Sequence, residues 1–508
     1  MSNIKKLFFQ SSHFLYGRIF LLIASLISFP IMTRMLSVSD YGIFGLLMVI
    51  MFLIVALSKS GLQNSYIRFY DEYKHIKKRL DIYYSTFFYC SIIISILIAV
   101  IYFLTVNLVL KSFLEHRLKD LLSFVSLIIL FKSLYILFTS FFRAAQRTGL
   151  YNLIFVLETY FNIFLGIIFL LLFKKNLYGL LIGYLLGDVI VLLIMVFLII
   201  RDYGKYIKIK QINSALLKEA LVYGLPLMGN EFTNNLLIFG DRFVISILLN
   251  SVSLGFYTAA SNLANNVSAC LAVPISYAIV PIYMNLWVTK GKDETQKFLS
   301  QSLAYSCLIS FPVIFIFTAI GKDVLVIFAS SKYQDAYSLI PYLSSAAIIF
   351  YGITNIVNAG LLIFKKGFLL MFLALGACVF NFILSYILVK ILGVNGAALA
   401  TLITCVTLII VTSFLSFKFL DFEIKFLSIG KYFGYSILMF LSIFKINLNN
   451  SLMSLILKTV AGTIVYLIII LLFEKDLRRK LTFYLYIPSK KVVRKIFCLE
   501  IFFGGKTC

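Results

Sequence analysis

Among the charged side chains inside long apolar stretches of this sequence, eight could do chemistry: the cations Arg18, Lys59, Lys132 and Arg242 and the carboxylates Glu158, Asp188, Glu231 and Asp241. An ionised group at the centre of a bilayer costs roughly 2.5 to 3.5 kcal/mol on insertion scales unless it faces water or a partner. Each therefore has two readings, a lining group of a solvated pathway or half of a structural ion pair. Buried carboxylates can also bind protons or sodium in turn and so couple a gradient to helix movement, and nothing in the sequence selects the coupling ion.

Lys132, near the middle of its stretch, either lines a cavity or pairs with Glu158 or another buried acid. Arg18, one to two turns inside the first stretch, either meets an anionic ligand or snorkels to the surface. Lys59, about two turns from a span end, has the same choice. Asp241 and Arg242 are consecutive, so on a helix they point about 100° apart and at most one faces a cavity squarely. Arg242 is taken as that member, with Asp241 fixing a neighbouring helix. Arg34 and Lys458 are read as interfacial. Asn162 and Asn381 are read as bonds between helices. Pro30, Pro226, Pro274 and Pro281 remove backbone hydrogen bonds inside spans and are hinge candidates.

Catalysis has little to work with. His13, His75 and His116 are far apart, which suggests neither a metal cluster nor a nucleophile–base pair. The GGKT at 504–507 imitates the end of a phosphate loop, but Glu500 stands where the earlier glycine is needed. Seven cysteines are scattered without CxxC spacing, and those inside spans read as small packing residues. The expectation is no catalytic residue, no metal and no cofactor.

The elements that hold these groups are about fourteen apolar stretches, each near the ~20 residues that cross a bilayer. They run roughly 14–36, 43–66, 82–106, 121–142, 151–173, 177–200, 219–248, 256–284, 300–320, 341–364, 367–389, 397–417, 431–446 and 451–473. With 61% hydrophobic residues and a mean hydropathy of +1.00, no sizeable soluble domain fits. The first stretch is too long for a signal peptide and leads straight into further spans. The N-terminus, the loops after even-numbered spans and the tail hold 31 of the 46 Lys and Arg, against 9 in the other loops, with Lys431 and Lys445 counted in the loops they adjoin. The positive-inside rule then puts both termini in the cytoplasm, with the net charge of +25 explained by topology and anionic lipid rather than by nucleic acid.

The chain also repeats itself. LSVSDYGIF at 36–44 after the first span returns as LNSVSLGFY at 249–257 after the seventh, and FNIFL at 161–165 returns as FNFIL at 380–384. RTG at 147–149 and KKG at 365–367 end spans four and ten. An offset of six spans keeps the halves in one orientation, which implies a pseudo-twofold axis along the membrane normal with a cavity between the lobes. The expected architecture is an all-α polytopic protein: an N-terminal six-helix lobe over 1–205, a second over 206–425, two further helices over 426–473 and a basic cytoplasmic tail over 474–508.

At LSVSDYGIFGLL (36–47), GLQNSYIRFY (61–70), GLPLM (224–228), GDRFVISILLNSVSLGFY (240–257) and FNFILSYILVKILGVNGAALAT (380–401) the chain resembles the oligosaccharide flippases of the bacterial polysaccharide-biosynthesis family. These lie within the multidrug/oligosaccharidyl-lipid/polysaccharide exporter superfamily. The resemblance implies a MATE-like, alternating-access transporter in the bacterial cytoplasmic membrane. It would move undecaprenyl-diphosphate-linked oligosaccharide repeats for O-antigen, capsule or another surface polysaccharide. Membrane lipids would surround it, with polysaccharide polymerase and chain-length proteins as candidate partners. Lys132, Arg242, Arg18 and Lys59 would then offset the charge of the diphosphate. A multidrug or metabolite antiporter of the superfamily would share the fold, but a cavity for organic cations should be acidic and aromatic. A polymerase or scaffold of the pathway is a third class; the external loop at about 321–340 is short for a polymerase.

The orientation is open to test by single-cysteine labelling. An impermeant reagent outside should modify positions near Asn250 and Asn449 and spare those near Lys77, Arg147 and Lys491. Labelling of the tail from outside would reverse the topology.

Overall fold

Apolar runs in a membrane must satisfy their own backbone, and helices are the open-chain solution. The computed structural model describes residues 3–110, 116–446, 448, 450–474 and 478–479, with side chains from residue 17 onward except 276 and 277. Lys490, Lys491, Arg494, Lys495, the GGKT run and Asn449 lie outside the described residues, as do the side chains of Lys5, Lys6 and His13. The helices are α1 (Asn3–Met35), α2 (Val38–Lys59), α3 (Leu62–Asp71), α4 (Leu80–Leu104), α5 (His116–Ala144), α6 (Thr148–Leu172), α7 (Leu177–Tyr203), α8 (Ser214–Phe239), α9 (Asp241–Leu248), α10 (Ser251–Lys290), α11 (Lys292–Val324), α12 (Ile340–Val357), α13 (Ala359–Ile363), α14 (Gly367–Leu392), α15 (Val394–Phe417), α16 (Phe426–Phe444) and α17 (Ser451–Phe473). No strand occurs among the described residues.

Thirteen of these helical stretches are long and apolar enough to cross a membrane. The expected seventh span, 219–248, is not among them and is α8 followed by α9. Glu219, Asn230, Glu231, Asn234 and Asn235 make α8 polar, and the chain passes from one helix to the other at Gly240. The expected span 43–66 also crosses a break. Ser60 and Gly61 both take left-handed backbone, at φ 47° and 71°, and separate α2 from α3. Gly61 is required there twice, by its φ and because a Cβ would come within 1.9 Å of the Gly224 carbonyl oxygen on α8. The hinge-candidate prolines all sit inside continuous helices: Pro30 in α1, Pro226 in α8, Pro274 and Pro281 in α10.

Packing divides the chain into two units, one of residues up to 258 with 374–390, the other of 259–373 with everything from 391. In the first, α6 packs against α1 and α7, and α5 against α2, α3, α4 and α7, while α8 lies on α2, α3 and α4. Its core includes a nest of aromatic rings around Tyr66, Tyr83, Tyr84, Phe87 and Phe141, all buried. The segment after α7 is strapped to the start of α4. Ser85 Oγ donates to the Tyr206 carbonyl at 3.0 Å and accepts from Lys208 N at 2.8 Å, and Thr86 Oγ1 accepts from Asn213 N at 2.9 Å. In the second unit α11 is the hub, packed against α12, α16 and α17, and α15 lies on α12 and α13.

The repeated hairpins meet inside the first unit. Ser37 caps α2 by accepting from Asp40 N at 3.0 Å, and Asn250, the equivalent residue, caps α10 by accepting from Ser253 N at 2.8 Å. The two helix starts cross at their glycines. A Cβ on Gly42 would stand 2.4 Å from the Ser251 carbonyl oxygen, and one on Gly255 would stand 2.0 Å from that of Val38. Val38 and Ser251 occupy equivalent repeat positions, so the contact is reciprocal, as a twofold axis requires. Ser39 and Ser251 share a hydroxyl hydrogen bond of 2.7 Å. A Ser39→Cys, Ser251→Cys variant should therefore form a disulfide under mild oxidation, seen as a reducible mobility shift, whereas failure to cross-link would contradict the crossing.

Candidate functional site

The most concentrated charge in the first unit joins three helices. Lys132 of α5 bonds to Glu158 of α6 through Nζ and Oε1, and its Nζ lies 3.5 Å from Asp188 Oδ1 of α7. Asn162, one turn beyond Glu158, donates from Nδ2 to Glu158 Oε1 at 2.6 Å and to Asp188 Oδ1 at 2.9 Å. The Tyr135 ring lies one turn along α5, its centroid 5.5 Å from the ammonium. The side chains of Lys132, Glu158 and Asp188 are 16%, 4% and 1% exposed. The carboxylates are thus sealed, and the lysine is nearly so.

Glycine on α7 allows this closeness. Gly179, Gly183 and Gly187 recur every fourth residue and share one face, and α6 lies directly on it. A Cβ on Gly183 would meet the Leu165 carbonyl oxygen at 2.4 Å, and one on Gly187 would meet Asn162 Oδ1 at 2.1 Å. Without side chains there, the α6 and α7 backbones approach as small-residue helix pairs do in membranes. Asn162 and Asp188 are thereby brought into bonding range.

A second group sits at the α2–α3 break. Lys59, in the last turn of α2, where the helix dipole favours a cation, bonds to Glu231 of α8. Gln63, just past the break, donates to the other oxygen of Glu231 at 2.9 Å. The turn at Ser60 and Gly61 puts both donors on one carboxylate. Lys59 is buried with its side chain 7% exposed, so it does not snorkel, while that of Glu231 remains 33% exposed.

The Asp-Arg pair of α9 is buried whole. Asp241 accepts from Tyr257 of α10 at 2.7 Å and from Ser385 of α14 at 3.1 Å, and so ties α9 to both helices. Arg242, taken from sequence as the cavity-facing member, also fixes a neighbour: Nη1 donates to the Gly45 carbonyl of α2 at 3.3 Å, and its guanidinium lies 5.3 Å from the Phe239 ring centroid. Arg18 is exposed on α1, as is Arg34. Asn381 is buried in α14.

In the second unit Lys458 departs from its interfacial reading. It is buried on α17, 3.3 Å from Asp323 of α11, and Ser454 donates to the same carboxylate at 2.7 Å. Asp323 was not singled out from sequence; the signal was Lys458 itself, an ammonium in an apolar run that needed an acid. The structure thus brings together Lys132 with Glu158 and Asp188, and Lys59 with Glu231. Gln63, Tyr257 and Ser385 escaped sequence reasoning because neutral polar residues are common in spans. The glycine spacing on α7 was legible and overlooked.

Helices of this number and order define a multi-pass membrane protein of MATE-like fold. The fold matches a lipid II flippase, MurJ, in an inward closed conformation, with a TM-score of 0.74 at 18% identity over 92% of this chain and 99% of that one. It also matches an inward-facing multidrug resistance MATE transporter of the MOP superfamily, with a TM-score of 0.65 at 16% identity over 81% and 95%. No curated protein matches the chain in sequence. The model of the polysaccharide biosynthesis protein family matches residues 31–338, and the chain belongs to that family.

Removing Lys132 would strand two sealed carboxylates. Lys132→Met should lower stability by about 3–5 kcal/mol, read as the unfolding midpoint of the purified protein. Adding Glu158→Gln and Asp188→Asn should recover most of the loss. A single variant as stable as the parent would refute the pairing.

Proposed function

We propose that this protein is a flippase that carries undecaprenyl-diphosphate-linked oligosaccharide repeats from the cytoplasmic to the outer face of the bacterial cytoplasmic membrane by alternating access. The observation that carries this reading is membership of the polysaccharide biosynthesis family in a fold shared with a lipid II flippase. O-antigen or capsule repeats are the substrates in view. Both termini are assigned to the cytoplasm on the distribution of Lys and Arg. The lobes are assigned as 1–205 and 206–425, with 426–473 as an added helix pair and 474–508 as the tail.

A diphosphate crossing an apolar region needs cations held ready for it, and Lys59, Lys132, Arg242 and Arg18 are assigned that task. For the two lysines the acids act as placeholders. A carboxylate keeps the ammonium ionised in apolar surroundings, and an arriving phosphate exchanges for it as partner. Lys59 is the more accessible of the two exchanges, because Glu231 is one-third exposed whereas Glu158 and Asp188 are sealed. Pro226 in α8, five residues before Glu231, removes a backbone hydrogen bond in the helix that would have to bend to release that carboxylate.

The test is transport by the purified protein in vesicles holding a fluorescent undecaprenyl-diphosphate sugar, with an impermeant quencher outside. The parent should expose the labelled lipid with time, and Lys59→Gln should slow exposure at least about tenfold, the loss of roughly 1.4 kcal/mol in the barrier. A protein that leaves the lipid-linked sugar in place but exchanges an organic cation would be an antiporter instead.

A further inference from the structure

The Lys132 group does not balance. It holds one ammonium and two carboxylates, all on membrane-spanning helices, with the carboxylates sealed. Among the described residues, the other charged side chains of the helices packed here stand at helix ends, on exposed faces or in pairs of their own. On α1, which meets α6 at Gly17 and Asn152, Arg18 and Arg34 are exposed. On α2, Asp40 and Lys59 stand in the first and last turns, and Lys59 is engaged by Glu231. On α4 the first turn holds Asp81, paired with Arg79, and α3 carries Arg68 and Asp71 near its end. The remaining titratable neighbours are the phenols of Tyr135 on α5 and Tyr184 on α7. As drawn, the group carries a net charge of −1.

A second observation is independent of that count. Asn162 directs its amide nitrogen at both carboxylates, which fixes Oδ1 as the opposite end of the amide. That Oδ1 and Asp188 Oδ2 are buried acceptors with no hydrogen-bond donor. Two orphaned acceptors beside a surplus negative charge describe a site short of one donor.

We propose that Glu158 and Asp188 together hold one exchangeable proton, and that Lys132 and Asn162 position the pair to take it up and give it back. A proton on either acid cancels the surplus charge and turns one acceptor into the missing donor. Uptake forms one O–H bond on a carboxylate oxygen from a water-borne proton, and release reverses it, with no oxidant or other reactant involved. A proton suits the site better than sodium because the ammonium already occupies the cation's place between the carboxylates. Use of this proton to drive the lobes rests on the flippase reading, whereas its binding does not.

Infrared difference spectroscopy of the purified full chain, titrated from about pH 5 to about pH 9, tests the proton directly. The parent should show a buried carboxylic acid band that disappears as pH rises. Asp188→Asn with Glu158→Gln, which are near-isosteric and leave Lys132 in place, should lose that band. A parent with no such band at any pH overturns the proposal, as does a band that survives in the double variant. Saturable binding of radioactive sodium without an acid band, lost in Asp188→Asn, would overturn it in favour of a metal cation. An intact band in a protein that moves no lipid-linked sugar would support the proton site and refute the transport reading alone.

Discussion

Hydrocarbon offers no partner to a charge or a peptide group, and that constraint organises the whole structure. A charge buried in a span needs a partner on another helix, so satisfying it also joins two helices. Lys132 joins α5 to α6 and α7, Lys59 joins α2 to α8, Asp241 joins α9 to α10 and α14, and Lys458 joins α17 to α11. Apolar contact alone could not be so selective, since lipid tails compete with it equally well. The charges specify which helices are neighbours, and small residues then let those neighbours close.

The same constraint explains why the polar groups are placed beside irregular backbone. Lys59 and Gln63 reach one carboxylate only because Ser60 and Gly61 turn the chain left-handed between them. Asp188 reaches Asn162 only because Gly187 lacks a side chain. In both cases a backbone peculiarity and an ion pair form one device. A substitution at the glycine would act on the electrostatics without touching a charged residue.

Much of the fold was legible because hydrophobic length and loop charge are local properties. The spans, the six-span repeat and the matching hairpins could all be read from single stretches of sequence. The break in 43–66 was hidden because Ser60–Gly61 interrupts an otherwise unremarkable run. The polar character of α8 blurred the seventh span for a related reason, since Glu231 is tolerated only through Lys59 and Gln63, about 170 residues away. The pairing of Lys132 with Glu158 was open to inspection as an alternative, because neighbouring spans tend to touch. Asp188 and Asn162 as further members were not, and neither was Asp323 as the partner of Lys458. Those depend on helix rotation, which an all-round apolar surface does not reveal.

The reciprocal crossing of Gly42 and Gly255 has an evolutionary consequence. A contact in which each half presents the same residue to the other is the interface of a homodimer, and this single chain carries it between two halves of one sequence. A half-length protein carrying this hairpin could make the same contact with its own copy in parallel orientation. The two hairpins differ elsewhere, as at Tyr41 and Leu254, but not where each limits the other. The carbonyl of Ser251 restricts what can stand at 42, and that of Val38 restricts what can stand at 255, so these two positions inherit a joint history although 213 residues separate them.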